Sequence, residues 1–172
     1  IAAVAEAGKV FGFNTIGLIR GYEAYRNNPT LSQASASGMD IRFLDKLEFT
    51  HINATYLAAL KEEIGDFMFI PMGGGNLNGM RGCAEINHDI PFNTTHIVTA
   101  CGTGSTLAGI VVGSKSSQQV MGFPAMKNGD FIQGEVTELV KEYSKNSYAN
   151  FRIITDYHFG GFAKMKPELA EF

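Results

Sequence analysis

The sequence has no apolar run near the ~18 residues that a membrane-spanning helix needs. It also lacks an excess of positive charge: 14 Lys and Arg stand against 17 Asp and Glu, for a formal net charge of −3. No basic surface is available to bind nucleic acid or an anionic membrane. Cysteine is scarce. Cys83 and Cys101 are the only two, and no CxxC spacing joins them. That argues against a disulfide framework and against a zinc site, and makes a reducing cytoplasm the expected compartment. His51, His88, His96 and His158 fall in neither an HxxxH nor an HExxH pattern, so no metal is expected. No Gly-Lys-Ser/Thr follows a glycine loop, so there is no P-loop. Internal repeats and low-complexity segments are missing as well.

What is present is a core-forming composition. The chain has 172 residues, 45% of them hydrophobic and 18% charged, enough for one or two small domains. Short apolar runs alternate with helical patterns. Residues 1–11 have helical periodicity, "TIGLI" (15–19) reads as a strand, "LSQASAS" (31–37) as a short helix and "IRFL" (41–44) as a strand. "HINATYLAALKEEIG" (51–65) reads as a longer amphipathic helix with Gly65 as its C-cap, and "FMFI" (67–70) as a strand stopped by Pro71. Further on come a helix to about His88, a strand at 96–100, a helix, a strand at 119–123, a helix at 134–145 and a strand at 151–155. Met121, Met126 and Met165 read as core fillers. Strand–helix alternation of this kind implies an α/β fold with open parallel sheets and right-handed crossovers. Pro71 to Gly75 is the best boundary between two domains. The chain starts at Ile1 in mid-helix and stops at "PELAEF", in the first turns of another helix, so an incomplete protein is expected.

Two glycine loops carry the chemistry. "ACGTGSTLAGIVVG" (100–113) runs from a strand into a helix. Gly102 and Gly104 let the backbone turn and bring its N–H groups close to an anion. Ser105 and Thr106 add hydroxyl donors, and the helix N-terminus adds partial positive charge. The residues suit a phosphate dianion, and they equally suit an ordinary tight turn. The spacing of Gly102, Gly104 and Gly109 is not that of a dinucleotide fingerprint. The second loop, "PMGGGNLNGMRGCAEI" (71–86), sets Gly79 and Gly82 on one helix face. It suits close backbone packing or a flat ligand, or else a hinge. Both loops follow strands, and ligands of α/β folds bind beyond strand carboxyl ends, often between two lobes.

Together these loops resemble those of the 1-aminocyclopropane-1-carboxylate deaminase and D-cysteine desulfhydrase family, which are pyridoxal-phosphate enzymes. "PMGGGNLNGMRGCAEI" is similar to the family's P-x-G-G-S-N-x-x-G-x-x-G-Y segment, and "HIVTACGTGSTLAGIVVG" to its phosphate loop. "IAAVAEAGKVFGFNTIGLIRG", "NPTLSQASASGMDIRFL" and "DYHFGGFAK" follow the family's order, so the resemblance covers essentially the whole chain. It implies a three-layer, two-lobed fold of the tryptophan synthase β type (fold type II). Residues 1–72 would be most of the small domain and residues 73–172 part of the large, cofactor-binding one. It implies pyridoxal 5'-phosphate held at its phosphate by Gly102, Thr103, Gly104, Ser105 and Thr106, with Asn76 near the cofactor ring. It further implies a small amino-acid substrate, a cytoplasmic location and a homodimer for the complete protein.

The departures matter as much. The family's Schiff-base lysine lies ahead of Ile1, and none of the nine lysines here matches it. The chain is therefore expected to be a central fragment, inactive alone. Gly75 stands where Ser is usual, and Cys83 where Tyr is usual. Phe162 stands at the position of an active-site Tyr, the one catalytic position carried here. The missing hydroxyl shifts the expectation from cyclopropane-ring opening, giving 2-oxobutanoate and ammonia, toward elimination, giving pyruvate, sulfide and ammonia. His158, in "DYHFGG", either shapes that pocket or caps a turn. Cys83 reads as packing rather than as a nucleophile. Two rival readings stay open: a phosphosugar-binding or isomerase module, and a non-catalytic member of the same fold.

Overall fold

A computed structural model describes residues 1–144, 148 and 150–171. The expected end of the helix over 134–145, at Lys145, lies outside the described residues. The chain packs as two units, Ile1–Met68 and the residues from Phe69 onward. No helix among the described residues is long and apolar enough to cross a membrane.

The first unit is built on two parallel strands, β1 (Ile16–Arg20) and β2 (Asp40–Leu44). Helix α1 (Ala2–Phe11) precedes β1 and ends at Gly12, whose φ of 75° is the left-handed value that glycine tolerates. Helix α2 (Pro29–Ala36) links the strands. It starts where Asn28 accepts a 2.9 Å hydrogen bond from the Thr30 N–H, with Pro29 pre-set for the first turn. Ala5, Leu31, Ala34, Met39 and Ile41 form the core of this unit.

The expected helix over 51–65 starts three residues late, and a short helix that the sequence did not lead us to expect precedes it. Helix α3 (Lys46–Thr50) opens on a capping box between Asp45 and Glu48. Helix α4 (Ala54–Ile64) opens on Asn53, which caps the Tyr56 N–H at 3.1 Å. Two strong caps eight residues apart start the two helices separately. The expected strand at 67–70 has no strand partner among the described residues, and Met68 is 73% exposed. Apolar composition marked the segment but could not supply a neighbour to pair with.

The second unit carries a three-stranded parallel sheet in the order β3 (His96–Cys101), β4 (Gln119–Pro124), β5 (Phe151–Ile153). Helix α6 (Ser105–Gly113) connects β3 to β4, and α7 (Phe131–Tyr143) leads toward β5. Helices α6 and α7 pack against each other and share one core on the sheet. Helix α5 (Leu77–Ala84) packs on α6 and α7, and a short helix α8 (Pro167–Glu171) closes the described chain. Alternation along the strands reports the same arrangement. Ile97, Cys101 and Val120 join Met80, Leu107, Val111, Ile132 and Val136 in one core, while Val98 on the opposite face is 59% exposed. Met126 packs against that core, but Met165, expected as a core filler, is 75% exposed.

Candidate functional site

The two glycine loops, distant in sequence, meet in the second unit. Thr103 donates a hydrogen bond from its hydroxyl to the Gly73 carbonyl at 3.4 Å, and its Oγ1 lies 3.2 Å from Ser105 Oγ. A hydroxyl has one proton, so Ser105 donates to Thr103 and Thr103 to Gly73. This relay ties the loop after β3 to the loop ahead of α5. The approach is close. A Cβ placed on Gly73 would lie 2.5 Å from Thr103 Cγ2, and Gly73 also holds a φ of 68°. Only glycine meets both demands. At Gly75, by contrast, a Cβ would sit 3.8 Å from Thr103 Cβ and 4.0 Å from Ser105 Oγ, in ordinary contact.

The start of α6 is open to a ligand. Its N-cap is Gly104, with φ 85° and no side-chain cap. Among the described residues no acceptor meets the backbone N–H groups of Ser105, Thr106 or Leu107. Such orphan donors are normally satisfied by a cap, water or ligand. Gly102 is exposed, and a Cβ there would meet nothing within 4 Å. Ser105 is buried at 4% exposure, whereas Thr106 is exposed. The Cys83 thiol donates to Thr106 Oγ1 at 3.7 Å, which leaves the Thr106 hydroxyl proton free. Cys83 therefore lies in the packing behind the loop. Cys101, at the end of β3, is buried. Desolvation pushes its thiol up, against a weaker opposing hydrogen bond at Phe123. A protonated, buried thiol is a poor nucleophile.

Asn76 does structural work that spacing did not reveal. Its Oδ1 accepts from the Gly79 N–H at 2.8 Å and caps α5. A Cβ on Gly79 would lie 2.2 Å from the Gly74 carbonyl oxygen, so the loop folds back onto its own helix. Gly82, on the same face, has nothing within 4 Å. Asn76→Ala is expected to cost about 1 kcal/mol of stability, as for other lost caps. Urea unfolding checks it; an unchanged midpoint would remove the capping role.

No hydrogen bond or ring contact joins Phe162 or His158 to this pair of loops among the described residues. Phe162 is 77% exposed, and its neighbour Gly161 lies against Lys127. His158 accepts from the Gly160 N–H at 3.0 Å, an intra-turn bond. Among the described residues no group of three or more His, Cys, Asp or Glu could hold a metal. One contact escaped the sequence reading: α5 and α6 touch at Gly109, where a Cβ would lie 2.6 Å from the Met80 carbonyl oxygen. The Gly109–Gly113 spacing on α6 was its visible signal, a pair of small residues one turn apart.

No family model matches the chain. Curated sequences do. A protein of Pyrococcus furiosus named "Putative 1-aminocyclopropane-1-carboxylate deaminase" is 30% identical over 96% of this chain and 55% of its own length. Proteins of the same name from Pyrococcus horikoshii and Pyrococcus abyssi are 27% and 26% identical, over 96% and 97% of this chain and 54% and 55% of theirs. The chain is similar to these deaminase-named proteins along nearly all of its own length. It spans about half the length of the curated proteins it matches. A solved structure of a hydrogen sulfide-producing enzyme from Fusobacterium nucleatum shares the fold. Its TM-score is 0.60 at 11% identity, over 89% of this chain and 56% of that one. The match with the deaminase-named proteins covers nearly the whole chain, both glycine loops included, and the α/β fold with parallel sheets agrees with the fold expected from the sequence.

Proposed function

We propose that the complete protein is a pyridoxal-phosphate enzyme acting on a small amino acid, and that residues 102–106 hold the cofactor phosphate. The observation that carries this reading is the uncapped start of α6, with three backbone donors in search of an acceptor beneath the open Gly102. The residues fit a phosphate. The Ser105, Thr106 and Leu107 N–H groups and the helix dipole face a dianion, and the Thr106 hydroxyl adds a donor. Ser105 and Thr103 fix the loop from below and keep it in shape without the ligand. Bound there, the cofactor would supply an electron sink for bond breaking at the substrate's α-carbon.

Phe162 favours elimination over ring opening. Its side chain has no hydroxyl to give or take a proton, whereas the family position it occupies carries a tyrosine. Elimination from D-cysteine and water gives pyruvate, sulfide and ammonia. Ring opening of 1-aminocyclopropane-1-carboxylate with water gives 2-oxobutanoate and ammonia. The names of the deaminase family and the sulfide-producing structure support this pair of reactions.

The test is equilibrium dialysis of the chain against pyridoxal 5'-phosphate and against pyridoxal. The phosphate ester should be retained about tenfold better or more, since charge-assisted hydrogen bonds distinguish the two. Equal retention would sink the cradle. On the complete protein, sulfide release from D-cysteine should exceed 2-oxobutanoate release from the cyclopropane substrate; the reverse order would restore the deaminase, and neither product would remove the enzyme reading.

A further inference from the structure

The first unit contains six lysines and arginines. Four of them face carboxylates. Lys9 lies 3.7 Å from Glu6, Arg26 pairs with Glu23, Arg42 lies 2.9 Å from both Asp40 and Glu63, and Lys61 lies 2.7 Å from Asp66. Arg20 and Lys46 have no carboxylate partner among the described residues. These two line one cleft of about 380 Å³, together with Gly21 and Tyr22.

The fold puts them there. β1 and β2 run parallel and end in register, Arg20 opposite Leu44, and the Gly21 N–H donates to the Leu44 carbonyl at 2.9 Å. Both chains therefore leave the sheet at the same end, the carboxyl end, where α/β folds bind ligands. Gly21 has a φ of 153°, a conformation that side chains disfavour, and it turns the chain toward Tyr22. Lys46 is the first residue of α3, and the Arg20 guanidinium rests 6.0 Å from the ring centre of Phe49 on that helix. The nearby acids are occupied. Asp45 accepts from the Leu47 and Glu48 N–H groups at 2.7 and 2.8 Å, and Glu48 accepts from the Asp45 N–H at 2.8 Å. Two like charges thus share a cleft with no acid in its lining.

We propose that this cleft binds the phosphate group of a small organic ligand. The planar guanidinium of Arg20 matches two phosphate oxygens, and the Lys46 ammonium supplies a point charge for the third. The Tyr22 ring offers a face to the organic part and its hydroxyl a donor. This site stands on the first unit alone and does not depend on the cofactor reading above.

Amide NMR of the 15N-labelled chain tests it, with inorganic phosphate as probe against sodium chloride at equal ionic strength. The Gly21, Tyr22 and Leu47 amides should shift and saturate with phosphate, and not with chloride. Arg20→Gln/Lys46→Gln should raise the dissociation constant at these amides about tenfold or more, the usual size for lost charged hydrogen bonds. If the double variant loses its native spectrum, the single variants Arg20→Gln and Lys46→Gln are read instead. Methyl phosphate should bind at least as well as phosphate, and tighter binding of succinate would overturn the assigned class. The absence of saturation, an equal response to chloride, or saturation unchanged by the variants would overturn the site. The Ser105 and Thr106 amides are followed in the same titration. A response there with none at Gly21 rejects this cleft and leaves the cradle standing.

Discussion

Gly109→Val is expected to remove most of the stability of the second unit. A Cβ at this position would sit 2.5 Å from Cys83 Cβ, 2.6 Å from the Met80 carbonyl oxygen and 2.7 Å from the Ala84 backbone nitrogen. Two of those neighbours are backbone atoms of α5, which no rotamer change can move. The helices must separate, and separation opens the core around Met80, Leu107 and Val111, three of its most buried side chains. Overpacking a close-packed interior costs about 1–3 kcal/mol and occasionally more. Gly109→Ala should therefore lose about 2 kcal/mol. Valine adds two γ-carbons against the same wall and should lose about 4 kcal/mol, a large share of the ~5–15 kcal/mol that holds a typical domain. Gly82→Ala is the control. It lies inside α5 with free space around it, so it should be neutral or gain up to about 1 kcal/mol from helix propensity. Urea unfolding followed by circular dichroism reads all three. A Gly109→Ala midpoint at or above wild type would show that α5 and α6 do not seat as described.

This contact also bears on the site. α6 carries the candidate phosphate loop at its start, and α5 is capped by Asn76 from the other glycine loop. The seating at Gly109 sets how far Thr103 reaches toward Gly73. A change at Gly109, four residues after the start of α6, should thus loosen residues 102–106 and 73–75, although its own neighbours are Met80, Cys83 and Ala84 of α5.

The turn at the start of α6 was more legible in the sequence than the packing around it. The order of strand, Gly102–Thr103–Gly104–Ser105–Thr106 and apolar helix was legible because glycine and hydroxyl residues mark a backbone turn directly. That Gly73 and Thr103 touch was not legible, since their contact depends on how α5 packs on α6. The start of α3 was written in Asp45 and Glu48 and that of α4 in Asn53, but apolar periodicity alone marks neither. The 67–70 segment shows the opposite failure. Its side chains are apolar enough for a strand, and strand formation needs a partner that local pattern does not contain. Arg20 and Lys46 were invisible for a related reason: an unpaired charge is recognised only after the partners of the other four cations are known.

The sharpest test of the cradle is to substitute two glycines in the same loop that should behave oppositely. Gly104 has a φ of 85°, and a Cβ there would lie 2.9 Å from Val136 Cγ2 and 3.3 Å from Ile132 Cγ2. Gly104→Ala combines left-handed strain of about 1 kcal/mol with overpacking and should destabilise by about 2–3 kcal/mol. Gly102 has neither problem, because its added Cβ meets open space. Gly102→Asp should leave the unfolding midpoint within about 0.5 kcal/mol of wild type, as surface substitutions do. It would, however, place a carboxylate beside the N–H groups of Ser105, Thr106 and Leu107. That carboxylate can take the donors for itself and repels an incoming dianion. Like-charge juxtaposition costs several kcal/mol, so pyridoxal 5'-phosphate should bind about a hundredfold more weakly or worse. Pyridoxal without its phosphate should be unaffected. Equal binding of the phosphate ester by wild type and Gly102→Asp would mean that the open start of α6 holds no phosphate. A large loss of stability in Gly102→Asp would mean that the space above Gly102 is filled by the protein itself. Only a stable protein with a selective loss of the phosphate ester supports an anion cradle, because an ordinary strand–helix turn would not distinguish the two ligands.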